Sequence, residues 1–250
     1  MTRRVVVVIV VLLLIAGLGA ILDRNGAVVG RVAGDAMFEG YPTRSWARRL
    51  GLGPADKATA LSALERGGPQ AVPVLIEILT GSRGTEGANL RYSAVEVLGK
   101  LGADAVSAGP ALLKAVEDDD PHVRAVAAAA LPRVETPAEL AVPALTKLLA
   151  SNHSVVAARA LSVYRAQAAS ALPELEALLR DRNRETEVRW YAARTIGKIG
   201  PAALGSVPAL IEHFSDREAS IREHVAEAIG DIGPSAAEVG VPPLIPLLQD

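Results

Sequence analysis

Residues 186–214 read TEVRWYAARTIGKIGPAALGSVPALIEHF, and residues 219–247 read ASIREHVAEAIGDIGPSAAEVGVPPLIPL. Arg189 returns as Arg222, Ile196 as Ile229, Gly200–Pro201 as Gly233–Pro234 and Val207–Pro208 as Val241–Pro242. Self-similarity at a fixed interval is the mark of a repeat architecture. Working outward, six copies appear. An apolar residue closes the first helix of each: Leu64, Leu98, Leu131, Leu161, Ile196 and Ile229. Four residues earlier stand Ala60, Ala94, Ala127, Ala157, Ala192 and Val225, small enough for neighbouring helices to approach closely.

A proline opens the second helix of each copy: Pro73, Pro110, Pro143, Pro173, Pro208 and Pro242. Proline suits a first helical turn, where its missing N–H would have no partner. Two and six residues later come Leu75/Leu79, Leu112/Val116, Leu145/Leu149, Leu175/Leu179, Leu210/Phe214 and Leu244/Leu248, one buried stripe per helix. Gly102, Gly200 and Gly233 stand where the first helix needs a left-handed stop. One helix–turn–helix unit cannot bury its own apolar face, and stacking solves this. The prediction is an all-α chain, an α-α superhelix or solenoid of about six helix–turn–helix repeats over residues 55–250.

These letters resemble the HEAT repeats. The marks are a proline in the second helix, an Asp eight residues on, and an Arg six residues later in the next first helix. Pro110/Asp118/Arg124 and Pro208/Asp216/Arg222 have that spacing, and Pro173/Asp181/Arg189 is two residues longer. In the family these Asp and Arg residues form a hydrogen-bond ladder between successive repeats. The resemblance therefore implies structural roles for Asp118, Arg124, Asp181, Arg189, Asp216 and Arg222. Lys57 and Ser154 stand in Arg positions, and Gly81 and Ser151 in Asp positions. The ladder is expected to break at 150–154, and the loop 81–89 to be a loose joint.

Residues 1–22 hold MTRR and then an uncharged run from Val5 to Leu22. As a helix it spans about 27 Å, close to the hydrocarbon thickness of a bilayer. We expect a single-pass signal anchor with Arg3 and Arg4 in the cytoplasm and the repeats outside. The alternative is a cleaved signal peptide and a secreted or periplasmic product, but Leu18-Gly19-Ala20 is a poor cleavage site. Residues 23–40 are rich in glycine and small residues and read as a stalk. Residues 41–54 read as a capping segment, with Trp46 and Leu50 on one helix face. The order of anchor, stalk, cap and repeats is also similar to membrane-attached or exported HEAT-repeat proteins of bacteria.

Composition excludes several chemistries. There is no cysteine, hence no disulfide, thiol nucleophile or cysteine zinc site. The formal charge is −2, and the second helices, expected to line the concave side, carry more acid than base, so no nucleic-acid partner is expected. His122, His153, His213 and His224 form no metal-spaced pair. One HEAT-like enzyme family binds iron through His–Glu pairs; here only Glu212–His213 and Glu223–His224 occur, in reversed order. We expect no metal, cofactor or catalytic residue. Asp120, before Pro121, is expected to cap a helix.

Four residues after each proline lie Glu77, Lys114, Lys147, Ala177, Glu212 and Pro246, a column expected to face solvent with alternating sign. One residue on, His213 interrupts the apolar column Ile78, Ala115, Leu148, Leu178 and Leu247. Glu77, Lys114, Lys147, Glu212 and His213 are therefore the candidate protein-binding residues. The last helix carries almost no charge, and Ile245 and Leu248 form a candidate docking or self-association patch. The expected function is a non-catalytic scaffold for an unidentified protein partner at the cell envelope. The resemblance leaves one enzymatic alternative, since bilin lyases also contain HEAT-like repeats: a lyase-type enzyme or accessory subunit holding a small molecule in the concave groove.

Overall fold

A computed structural model describes residues 23, 25–82 and 84–245. The expected anchor over Val5–Leu22 lies outside them, as does Leu248. Among the described residues no helix is long and apolar enough to cross a membrane. The chain divides into two units, residues 1–105 and 106–250.

The first unit opens with α1 (Ala27–Ala33), a two-stranded antiparallel hairpin of β1 (Met37–Phe38) and β2 (Tyr41–Pro42), and α2 (Thr43–Leu50). The Asp23 carboxylate accepts the amides of Val28 and Val29, covering donors that a helix start leaves open. These bonds hold the Asp23 carboxyl below its usual range. Next come α3 (Pro54–Arg66), α4 (Val72–Gly81) and α5 (Gly84–Leu101). The expected stalk is thus a folded element. Phe38 and Trp46 are buried, their rings 5.4 Å apart, and the Trp46 indole N–H donates to the Phe38 carbonyl at 3.1 Å. Glycine at 67 is required, because a Cβ there would lie 2.2 Å from the Phe38 ring. Composition alone suggested a flexible spacer; burial of one aromatic side chain outweighs the glycine content. Residues 84–89, expected within a loose joint, are the first turns of α5. Arg91 returns to donate to the Ser82 and Gly84 carbonyls.

The second unit holds α6 (Gly109–Ala115), α7 (Pro121–Ala130), α8 (Ala138–Leu148), α9 (Ser154–Tyr164), α10 (Leu172–Arg180), α11 (Thr186–Ile199), α12 (Val207–Ile211), α13 (Ala219–Ile232) and α14 (Pro234–Leu244). First and second helices alternate, and short 3-10 turns join α9 to α10 and α11 to α12. Gly102, Gly200 and Gly233 take positive φ at the ends of their helices. The predicted stripe is the core: Leu131, Leu161, Ile196, Ile229, Leu145, Leu175 and Leu210 are all buried. Asp120 accepts the amides of His122 and Val123 and caps α7. Two proline positions differ from expectation. Pro143 and Pro242 lie inside α8 and α14, because those helices begin earlier, after Pro137 and Gly233.

Candidate partner-binding groove

The second helices of the third and fourth repeats, α8 and α10, are followed by turns of different chemistry. In the turn after α8 the ladder positions are serines. Ser151 turns its hydroxyl onto the Leu148 carbonyl at 2.7 Å, and Ser154 is buried at the start of α9. No Arg is available there for Asp181. Asp181 instead accepts the Asn183 amide at 3.0 Å and sits 3.6 Å from Arg184 Nε. Arg184 in turn reaches the Ala150 carbonyl at 3.4 Å. The two helices leave a groove of about 460 Å³ between them. Leu149 and Leu178 form its floor, with Ala150 and Ala177 exposed in it; Lys147, Glu174, Asp181 and Arg184 stand around it. The Thr146 hydroxyl bonds the Val142 carbonyl of its own helix, so that wall offers little free polarity. An apolar floor with a few charged groups at its edge is the usual constitution of a binding site.

The predicted column is only partly a free surface. Lys114 is exposed. Lys147 pairs with Glu117 at 2.7 Å and Glu212 with Arg180 at 3.1 Å, each linking neighbouring repeats. Such exposed pairs are screened by solvent and add little to stability. Glu77 departs from expectation. Its carboxylate accepts the Ala36 amide with both oxygens at 2.9 Å and also the Thr43 hydroxyl, so it fastens the N-terminal segment to α4. His213 departs as well. It is 4 % exposed, continuous with buried Ala115, Leu148 and Leu178, and cannot meet a partner. The side chain one residue past the solvent column turns inward, and histidine there is simply enclosed.

What His213 does meet is Asp216, the centre of the polar interior. Arg189 donates to both carboxylate oxygens of Asp216 and to the Leu179 carbonyl. His213 Nδ1 lies 3.4 Å from the same carboxylate, and the Glu218 amide donates to it at 3.1 Å. Arg222 Nη1 donates to the Asp216 carbonyl at 2.8 Å. Burial acts to raise the Asp216 pKa, but the Arg189 hydrogen bond, the Glu218 amide and the Arg189 charge outweigh it and hold the group at about 2. Burial pushes the His213 pKa down. Arg124 makes the corresponding bonds to the Asp118 and Asp119 carbonyls. The Asp118 side chain accepts the Asp120 amide. Burial, with the charges of Arg124 and His122, lowers the His153 pKa. Among the described residues no three His, Cys, Asp or Glu gather as a metal site. Ile245 is exposed.

A family model described as HEAT repeats matches residues 84–165 and 172–250. The chain belongs to the HEAT repeat family. The groove therefore lies between HEAT repeats, at the point where their Asp–Arg pattern lapses. Among solved structures, human deoxyhypusine hydroxylase in complex with glycerol is similar at 19% identity, over 86% of this chain and 99% of that one, with a TM-score of 0.25. No curated protein matches.

Proposed function

We propose that the protein is a non-catalytic protein-binding scaffold of the cell envelope. Val5–Leu22 holds it in the membrane with the N-terminus cytoplasmic, and its HEAT repeats lie outside. The observation that carries this reading is the groove between α8 and α10. The occupant is a segment of a partner protein presenting an aliphatic side chain to Leu149 and Leu178, with a basic residue beside it. The basic residue follows from charge: Arg184 is engaged by Asp181 and Ala150, and Lys147 by Glu117, whereas Glu174 is exposed in the first turn of α10.

The test is a crosslinking capture from intact membranes with the full chain, comparing wild type with Ala177→Arg and Glu174→Lys. Ala177 is exposed in the groove, so arginine there fills it without disturbing the core. One stoichiometric envelope protein, captured by wild type and lost by at least about tenfold in each variant, supports the reading. Equal capture by all three chains removes the groove. A shortened bait in the soluble fraction removes the anchor.

A further inference from the structure

The first helices of the fourth and fifth repeats, α9 and α11, hold a second, smaller pocket. Its volume is about 250 Å³, and Arg159, Ser162, Tyr191, Arg194 and Thr195 line it. Arg159 and Arg194 each stand two residues beyond the small packing residue of their helix, Ala157 and Ala192, so stacking brings equivalent positions together. Both arginines are exposed, and among the described residues neither has a carboxylate at ion-pair distance. Elsewhere in this unit, facing repeats set opposite charges together, as at Lys198–Asp231 (2.7 Å), Arg180–Glu212 (3.1 Å) and Lys147–Glu117 (2.7 Å). Here two cations open on one pocket, an arrangement that repels itself unless an anion lies between.

The remaining lining sharpens the class of anion. The Ser162 hydroxyl donates to the Arg159 carbonyl at 2.7 Å, and the Thr195 hydroxyl to the backbone carbonyls of Ala158 and Tyr191. Those protons are committed. Of the residues that line the pocket, the side-chain donors not so committed are the two guanidinium forks and the Tyr191 hydroxyl. The Tyr191 ring is held against Trp190 with centroids 3.7 Å apart, and Arg159 lies 5.9 Å over it. A donor-only set with two planar forks matches a group with several equivalent oxygens and about two negative charges.

We propose that this pocket binds a phosphate group, clamped between Arg159 and Arg194 with the Tyr191 hydroxyl as a third donor. Its volume holds a phosphate and the first atoms of what it is joined to, given roughly 30 Å³ for a water molecule. The site does not depend on the groove between α8 and α10. The same chemistry is offered by a free phosphate and by a phospholipid headgroup.

The experiment is calorimetric titration of the full chain in detergent micelles at constant ionic strength. The probes are inorganic phosphate and, separately, dihexanoyl phosphatidic acid below its micellar concentration. The chains are wild type, Arg159→Gln/Arg194→Gln and Arg159→Lys/Arg194→Lys. Saturable binding at one site, at least about tenfold weaker in the Gln variant and intermediate in the Lys variant, is the expected result. The Lys variant keeps the charge, so it carries the test if the Gln variant loses helical circular dichroism. Phosphatidic acid binding at least tenfold tighter than phosphate identifies a headgroup site; comparable affinity identifies a site for free phosphate. No saturable binding of either probe, or equal binding by wild type and the Lys variant, overturns the proposal.

Discussion

Arg189 and Arg222 stand at the same position of consecutive repeats, yet their environments differ. Arg189 is 4 % exposed and shares both oxygens of a buried carboxylate, whereas Arg222 is exposed and bonds backbone carbonyls at the surface. Removing one member of a buried pair leaves the other charged and unpaired, at a cost of about 3–5 kcal/mol. Arg189→Ala should therefore lower the melting temperature far more than Arg222→Ala. Equal shifts in a thermal melt followed by circular dichroism would show that Asp216 is not the hub described.

The same cluster predicts an acid-sensitive unit. His213 has a lowered pKa when folded, so the unfolded chain binds its proton first; that contribution is complete above about pH 6.5 and lost as pH falls below it. Asp216 is held at about 2, so its contribution is present above the ordinary carboxylate range near 4 and lost between there and about 2. Arg189, Asp216 and Glu212 are the charged groups around the ring, and none reverses the sign. Melting temperature should fall in two stages on acidification. His213→Leu, which restores the residue found at 148 and 178, should flatten the stage that begins below about pH 6.5. An unaltered pH profile in that variant would refute a buried neutral histidine. Spacing disclosed the Arg and Asp positions, since only two residue types sustain a ladder. It could not disclose that His213 points inward, because residues adjacent on a helix lie a hundred degrees apart and one misjudged face reverses exposure.

At the scale of helices, glycines 197 and 230 make the case. Each follows the closing isoleucine of its first helix, Ile196 and Ile229, and nothing in the letters separates them. A Cβ on Gly197 would lie 2.7 Å from Ala228 Cα, so α11 and α13 touch through that glycine; a Cβ on Gly230 meets nothing within 4 Å. Gly197→Ala should cost about 1–3 kcal/mol through helix displacement. Gly230→Ala should stabilise by about 0.5–1 kcal/mol through reduced unfolded-state freedom. Denaturant midpoints of the two variants should move in opposite directions, and a shift of the same sign would disprove the close approach. The repeat was legible because its period is carried by bulky apolar residues in every copy. The segment from 23 to 43 was not, because its order comes from tertiary contacts made by Phe38, Ala36 and Thr43 with residues distant in sequence.

For the whole molecule, the relevant fact is that each unit has its own core and its own tryptophan. Trp46 is buried against Phe38 in the first unit, and Trp190 stacks between Tyr191 and His224 in the second, with centroids 3.7 and 4.5 Å away. In repeat proteins stability is close to a sum of local terms, so damage should be read locally. Phe38→Ala removes a buried ring and should cost about 3–5 kcal/mol. Its effect should appear in the fluorescence of Trp46, recorded in a Trp190→Phe background. Arg189→Ala should shift the transition seen by Trp190, recorded in a Trp46→Phe background. Phe38 and Arg189 share no partner, so the double variant should show the sum of the single effects within about 0.5 kcal/mol. A deficit or excess well beyond that would mean the two sites are coupled, and a single transition seen by both tryptophans would mean that the units unfold as one. Separate transitions, by contrast, would allow a partner in the α8–α10 groove to stabilise the second unit while leaving the Trp46 transition where it was.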